Sequence, residues 1–375
     1  MVKRAPIETY CEKKISTLQK NAIGMIDYVD ISSVDNTKKK IISFQTMNTK
    51  DAPSRAKQLL KKDDIIISTV RPNLNAVAVV ESETDNLMVG STGYCVLRCK
   101  DNMDFRYLFN FCQSQYFIDD MSSQATGASY PAVSTTIVRS SLIPCYPVDE
   151  QRKIASELDK ITDLIDKRKE QLEKLDALVK ARFVELFGNG HDGKTTVKML
   201  DSICKFQQGT QIPVEEQFEE QNAGYKRFLR IIDYTQAPQP PRYVNVNGKE
   251  VDEKSVVIVR YGATAGFVGR GYQGILANNL FEIIPDETIL SKEFLFLALK
   301  YGTFEKEVHD KAFGAAMPAL SFSMMNDIPV VVPMPEQQSK FVCFVEQTDK
   351  SKLEVQKSLE KLEVLKKALM QKYFG

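Results

Sequence analysis

The stretch QLEKLDALVKARFVELFG at residues 171–188 returns as SLEKLEVLKKALMQKYFG at 358–375 without gaps, with nine identities in eighteen positions, where chance gives about one. The chain must therefore fold as two versions of one plan. Glu150-Gln151 matches Glu336-Gln337 at a shift of 186, whereas Phe187-Gly188 matches Phe374-Gly375 at 187, so one copy is expected to carry a single inserted residue. Further upstream, Gly127 and Tyr130-Pro131-Ala132-Val133-Ser134 parallel Gly314 and Met317-Pro318-Ala319-Leu320-Ser321. DDIIISTVRP at 63–72 parallels KSVVIVRYGA at 254–263, and MIDYVDISSVD at 25–35 parallels RFLRIIDYTQ at 227–236.

Each half reads as a globular part followed by a long helix. Short β-rich runs at 65–70, 76–80, 94–97, 256–259 and 281–284 are bounded by Gly, Pro, Asn and Asp, which is the signature of strands between turns. Residues 105–117 and 292–308 read as two helices with aromatic faces turned to the core. In the first long helix, Ile154, Leu158, Ile161, Ile165, Leu172, Leu175 and Val179 alternate in steps of four and three, broken only at Arg168. That spacing is a heptad seam. The second carries Val355, Leu359, Leu362 and Leu369 in the same alternation, while Phe341, Phe344 and Val345 read as a different register. A solvated helix cannot hide such a stripe, so each needs a partner, and the sister copy is the nearest.

The expected fold is mixed α/β: globular parts at 1–147 and 189–334, each followed by a helix, at 148–188 and 335–375. The helices are expected to pair as an antiparallel coiled coil with pseudo-two-fold symmetry. At about 1.5 Å per residue such a helix spans on the order of 55 Å and acts as a spacer between two readers.

Composition excludes several alternatives. Apolar residues make up 43% and charged residues 26%, without the long apolar run of a membrane span. MVKRAPIETY has no apolar stretch behind its basic residues, so no secretory signal is read and a cytoplasmic location is expected. Seven cysteines without a C-x-x-C pair and only two histidines point to free thiols and leave little from which to build a metal site. The net charge of +1 does not by itself exclude an anionic partner, because charge can be unevenly distributed over the surface.

The order of globular part, helix, globular part, helix resembles that of type I restriction–modification specificity subunits, over essentially the whole chain. Its most specific pieces close each globular part: Ile143-Pro144 leading to Pro147-Val148-Asp149-Glu150-Gln151, and Ile328-Pro329 leading to Pro333-Met334-Pro335-Glu336-Gln337, each followed by a helix ending in Phe-Gly. The resemblance implies a non-catalytic subunit whose two recognition domains read the halves of a bipartite, asymmetric site in double-stranded DNA. It implies methyltransferase and restriction/translocase subunits as partners. S-adenosylmethionine, ATP and Mg are then expected on those partners, with no cofactor bound by this chain. Alternatives are the specificity part of a related type II methyltransferase-associated system and a coiled-coil scaffold without DNA function.

Phosphate contacts need exposed cations, and base reading needs polar side chains on loops. The candidates are Lys38, Lys39, Lys40, Arg55, Lys57, Arg71 and Ser134 in the first half, and Lys226, Arg227, Arg230, Arg242, Arg260, Arg270 and Ser321 in the second. Arg71 and Arg260 are singled out because they end corresponding β runs. The loops containing Ser134 and Ser321 are expected chiefly to start the strands that follow. Two motifs mislead. Gly188 to Thr195 matches the G-x-x-x-x-G-K-T phosphate loop, but it follows a helix where a strand is required. Gly269-Arg270-Gly271-Tyr272-Gln273-Gly274 matches G-x-G-x-x-G, but a β run follows and a glycine-rich hairpin turn is expected.

Overall fold

A computed structural model describes residues 2–19, 23–81, 84–188, 196–236, 239–312 and 319–375. The chain divides into two compact units, Met1–Lys169 with Lys357–Gly375, and Glu170–Gln356. Neither long helix belongs to one unit alone.

The first unit holds a four-stranded sheet in the order Gln45–Asn48, Met25–Val29, Leu87–Ser91, Ala56–Leu59, with a parallel central pair and antiparallel outer pairs. A second sheet runs Tyr94–Leu97, Ile65–Ser68, Val77–Val79. The ribbon Arg4–Pro6 with Leu142–Pro144 leads into the helix Val148–Phe187. The second unit repeats the plan. Its mixed sheet runs Arg242–Val244, Lys226–Leu229, Gly274–Leu276, Glu250–Val251, again around a parallel pair. Its second sheet gains an edge strand: Cys204–Gln208, Leu280–Pro285, Val256–Val259, Val268–Gly269. Thr196–Met199 with Pro329–Val332 leads into the helix Pro335–Phe374.

Within the first unit the two long helices run antiparallel: the Tyr373 hydroxyl donates to Glu157 at 2.7 Å, and Lys169 meets Glu363 at 3.7 Å. The same sense holds within the second unit, where Lys352 meets Asp176 and Phe341 packs on Phe183 and Phe187 at 5.6 and 5.4 Å. Ile154, Leu158, Ile161, Ile165, Val179, Val355 and Leu359 are buried, with Leu172, Leu175, Leu362 and Leu369 half-buried between them. The seam therefore faces inward as its period requires. Leu158 and Phe374 lie in the first unit's main core, and Phe187 and Phe341 in the second's.

Five expectations need correction. The buried Gln151 accepts from Asp104 N at 2.9 Å and donates to Tyr146 O at 2.8 Å. Gln338 accepts from Ser291 N at 3.1 Å and donates to Pro333 O at 2.9 Å. The two glutamines do one job, so Gln151 matches Gln338 rather than Gln337, and the shift is 187 there as at Phe187 and Phe374. No insertion separates these points, and Phe341 and Val345 share the register of Ile154 and Leu158. Thr348 and Lys352, standing where Ile161 and Ile165 stand in the first copy, hide the seam from an apolar count.

The run 105–117 is two helices, Phe105–Phe111 and Gln115–Ser123, because Ser114 caps a new start by accepting from Phe117 N. Likewise 292–308 divides into Lys292–Tyr301 and Phe304–Ala312 at Gly302. The glycine motif at 269–274 is no hairpin. Val268–Gly269 and Gly274–Leu276 pair in different sheets, so the segment crosses between them. The 189–195 part of the phosphate-loop motif lies outside the described residues.

Replacing Gln338 with leucine leaves Ser291 N without its acceptor and Ile289 O and Pro333 O without their donor. An unfolding titration should show a loss of about 2–3 kcal/mol, with a similar loss for Gln151→Leu. A loss under about 0.5 kcal/mol would mean that the glutamines do not hold the helix starts.

Candidate nucleic-acid interface

The strands Ile65–Ser68 and Val256–Val259 occupy the same place in their sheets, and each runs out into the same corner. In the first unit Val70 bridges Ala132, Val133 N donates to Thr69 O at 2.9 Å, and Arg71 N donates to Pro131 O at 2.7 Å. In the second, Tyr261 bridges Ala319 and Leu320 N donates to Arg260 O at 2.9 Å. The corner thus brings the β run against the repeated proline loop in both halves. This register corrects the pairing of Arg71 with Arg260. Arg260 stands opposite Thr69, and the residue opposite Arg71 is Gly262.

That substitution is informative because the backbone turns left-handed there in both units, with φ 50° at Arg71 and 87° at Gly262. Glycine adopts such a φ freely, while another residue stores on the order of 1 kcal/mol. Arg71 nonetheless stands at the corner, exposed, with its guanidinium 4.8 Å from the ring centroid of Tyr130, itself 69% exposed. An arginine on an aromatic plate at a strained surface turn contributes little to the core. It leaves guanidinium donors at the surface. The second unit offers a related pair one residue earlier: Arg260 lies 4.6 Å from the Tyr261 ring and 5.2 Å from that of Phe281. Its Nε donates to Leu320 O at 3.3 Å, which anchors one edge of the fork.

The remaining candidates fall into groups. Lys38, Arg55 and Lys57 are exposed and make no ion pair among the described residues. Lys40 pairs with Glu81 at 3.1 Å, Arg242 with Glu219 at 2.8 Å, and Lys226 with Glu250. Arg227 and Arg230 are tied to the buried Asp233 at 3.2 and 3.0 Å, and Arg227 also stacks on Tyr272 at 4.4 Å. Arg270 stacks on Phe296 at 4.3 Å. Ser134 and Ser321 cap the short helices Thr135–Ser140 and Phe322–Asn326, accepting from Ile137 N and Met324 N. Their loops therefore start helices, which then lead into the strands. Charge gives no sign of the plates Tyr130 and Tyr261, although Tyr130 lies in the repeated loop motif.

Lys39 is turned inward at φ 56°, and its ammonium donates to Asn75 O and Oδ1 at 2.5 and 2.8 Å. Burial, with the Lys366 charge adding to it and Asp35 opposing, brings its pKa down to about 8 from 10.5. Between those values the unfolded chain holds a proton that the folded chain has released, so this residue's contribution to stability rises with pH from about 8 toward 10.5. Lys39→Met should flatten that rise in a pH series of unfolding titrations. An unchanged slope would exclude the burial cost.

No helix among the described residues is long and apolar enough to cross a membrane. A family model described as the type I restriction modification DNA specificity domain matches residues 7–176 and again 193–366. The chain is 21% identical over 336 residues to the type I restriction enzyme MjaIX specificity subunit of Methanocaldococcus jannaschii, covering 82% of this chain and 76% of that one. It is 25% identical over 172 residues to the type I restriction enzyme HindI specificity subunit of Haemophilus influenzae, 44% of this chain and 36% of the relative. That alignment thus spans about a third of the relative's length. A solved chain from work on complex assembly and conformational transition of the type I R-M system superposes with a TM-score of 0.66 at 24% identity, covering 99% of this chain and 97% of that one. The type I restriction–modification S subunit from M. genitalium does so at 0.57 and 18%, covering 100% and 96%. At these identities the likeness speaks for the fold.

Proposed function

Because the chain belongs to the type I restriction modification DNA specificity domain family, we propose that it selects a bipartite, asymmetric DNA target, one half-site per globular part, and itself carries out no reaction. The observation that carries this reading is the corner built twice with different chemistry: an arginine on Tyr130 at position 71 in one unit, and Arg260 beside Tyr261 and Gly262 in the other. A shared backbone with unlike side chains is what two readers of different sequences require. Arginine forks suit the O6 and N7 of guanine or a phosphate, and aromatic plates hold the fork in place.

Lys38, Arg55 and Lys57 supply the sequence-independent attraction to phosphate in the first unit, and the cations already tied to acids act chiefly in folding. The long helices repeat one another at 171–188 and 358–375, where methyltransferase subunits dock, with restriction subunits joining that core, and helix length sets the unread gap between half-sites. S-adenosylmethionine, ATP and Mg act on those partners.

The test is to co-express the chain with a cognate methyltransferase and map modified adenines across a genome. A single gapped motif is expected, with the gap altered and both half-sites retained when one heptad is removed from the two helices together. An ungapped motif, or no modification beyond that of the methyltransferase alone, would overturn the proposal.

A further inference from the structure

Cys11 and Cys99 face each other across an isolated antiparallel bridge. Glu12 N donates to Arg98 O at 2.8 Å and Lys100 N donates to Tyr10 O at 2.9 Å, one bond on either side of the pair. Residues so flanked form a non-hydrogen-bonded pair, in which Cα atoms approach to about 4.5 Å and side chains come closest. That lies at the short end of the span a disulfide bridges, about 4.4–6.8 Å. The structure assigns this pair as a reversible disulfide site in the first unit.

The surroundings favour closure. Cys99, together with the charges of Arg139 and Lys100, favours the thiolate at Cys11 against the cost of burial, while Cys11 and burial hold Cys99 as the thiol. Cys11 is buried, while the half-buried Cys99 gives an oxidant access to the pair. The thiolate that the pair provides attacks a hydroperoxide and becomes a sulfenic acid, releasing an alcohol or water. The other sulfur of the pair then attacks the sulfenic sulfur and expels water. Two thiols have lost two electrons and two protons, one S–S bond has formed, and the peroxide O–O bond has been reduced.

The second unit lacks the pair. Cys204 holds the place of Cys11, since Pro6 pairs with Leu142 as Met199 pairs with Pro329, but the residue facing Cys204 is Pro285. Oxidation therefore acts on one head only. It fastens a segment that carries other ties: Arg4 Nη2 donates to Phe374 O at 3.0 Å and Gly375 O at 2.7 Å, and Glu12 pairs with Arg98 at 3.7 Å. The facing strand, Tyr94–Leu97, pairs with Ile65–Ser68, which runs to the Arg71 corner.

The test uses the full chain with Cys343→Ser, because the exposed Cys343 would link chains to each other. Of the six cysteines then left from seven, hydrogen peroxide should remove two titratable thiols, and a reductant should restore them. Peptide mapping should recover a link between the Cys11 and Cys99 peptides, and the oxidised chain should melt roughly 5–10 °C higher. Cys99→Ser and Cys11→Ser should each abolish the link and the shift. Six thiols surviving peroxide, or a link through Cys95 or Cys112 in place of this pair, would overturn the assignment. The outcome does not depend on whether the chain binds DNA.

Discussion

Arg71→Gly should make the protein more stable and a weaker binder at once. The left-handed φ of 50° at Arg71 is relieved by glycine, as at Gly262 in the second unit, so unfolding should cost about 1 kcal/mol more. The lost guanidinium should weaken binding to the cognate half-site by about 5–150-fold, the range for one specific arginine contact. Two competition arms separate its roles. If Arg71 touches phosphate, affinity falls alike for all sequences and the slope of log K on log salt becomes shallower by about 0.9. If it reads a base, the slope holds and discrimination at one position relaxes. Tyr130→Ala should weaken binding less, because it frees the fork without deleting it. Unchanged affinity in Arg71→Gly would remove the corner from the interface.

The second large effect concerns Phe374. Its ring is buried, 5.3 Å from Tyr107 and 5.7 Å from Phe111 by centroids, in the first unit's main core. Phe374→Ala should cost about 3–5 kcal/mol, which for a unit of this size lowers its melting temperature by on the order of 10 °C. Amide exchange should quicken in strands such as Tyr94–Leu97 while Val256–Val259 keeps its protection. Phe187→Ala, removing a ring 5.2 Å from Phe294 and 5.4 Å from Phe341, should reverse that pattern. Equal loosening of both units by either change would contradict separate cores.

The long helices and the doubled plan were legible because heptad spacing and ungapped identity are local properties of the string. Strand pairing was not. The parallel contact of Met25–Val29 with Leu87–Ser91 joins residues some sixty positions apart and leaves no periodic trace. The Glu-Gln dipeptides invited the wrong match because sequence weighs Gln337 and Gln338 alike, and only the bonds of Gln338 to Ser291 and Pro333 distinguish them. Charge counting could not separate Arg230, fastened to Asp233 inside a fold, from Arg55, which faces water. The Gly262 match to Arg71 was present in the ungapped alignment of 63–72 with 254–263, but its meaning needed the sign of φ.

The two aromatic plugs also set an order of assembly. Phe187 emerges from the ribosome before the strands and helices it packs against, so the second core can close as its last strand, Pro329–Val332, and Phe341 appear. The first core, nearly complete once Leu158 has been made, must wait for the ring that packs on Tyr107 and Phe111 until Phe374 is made. The half translated first is therefore the half finished last, and its unfilled cleft stays open longest during synthesis.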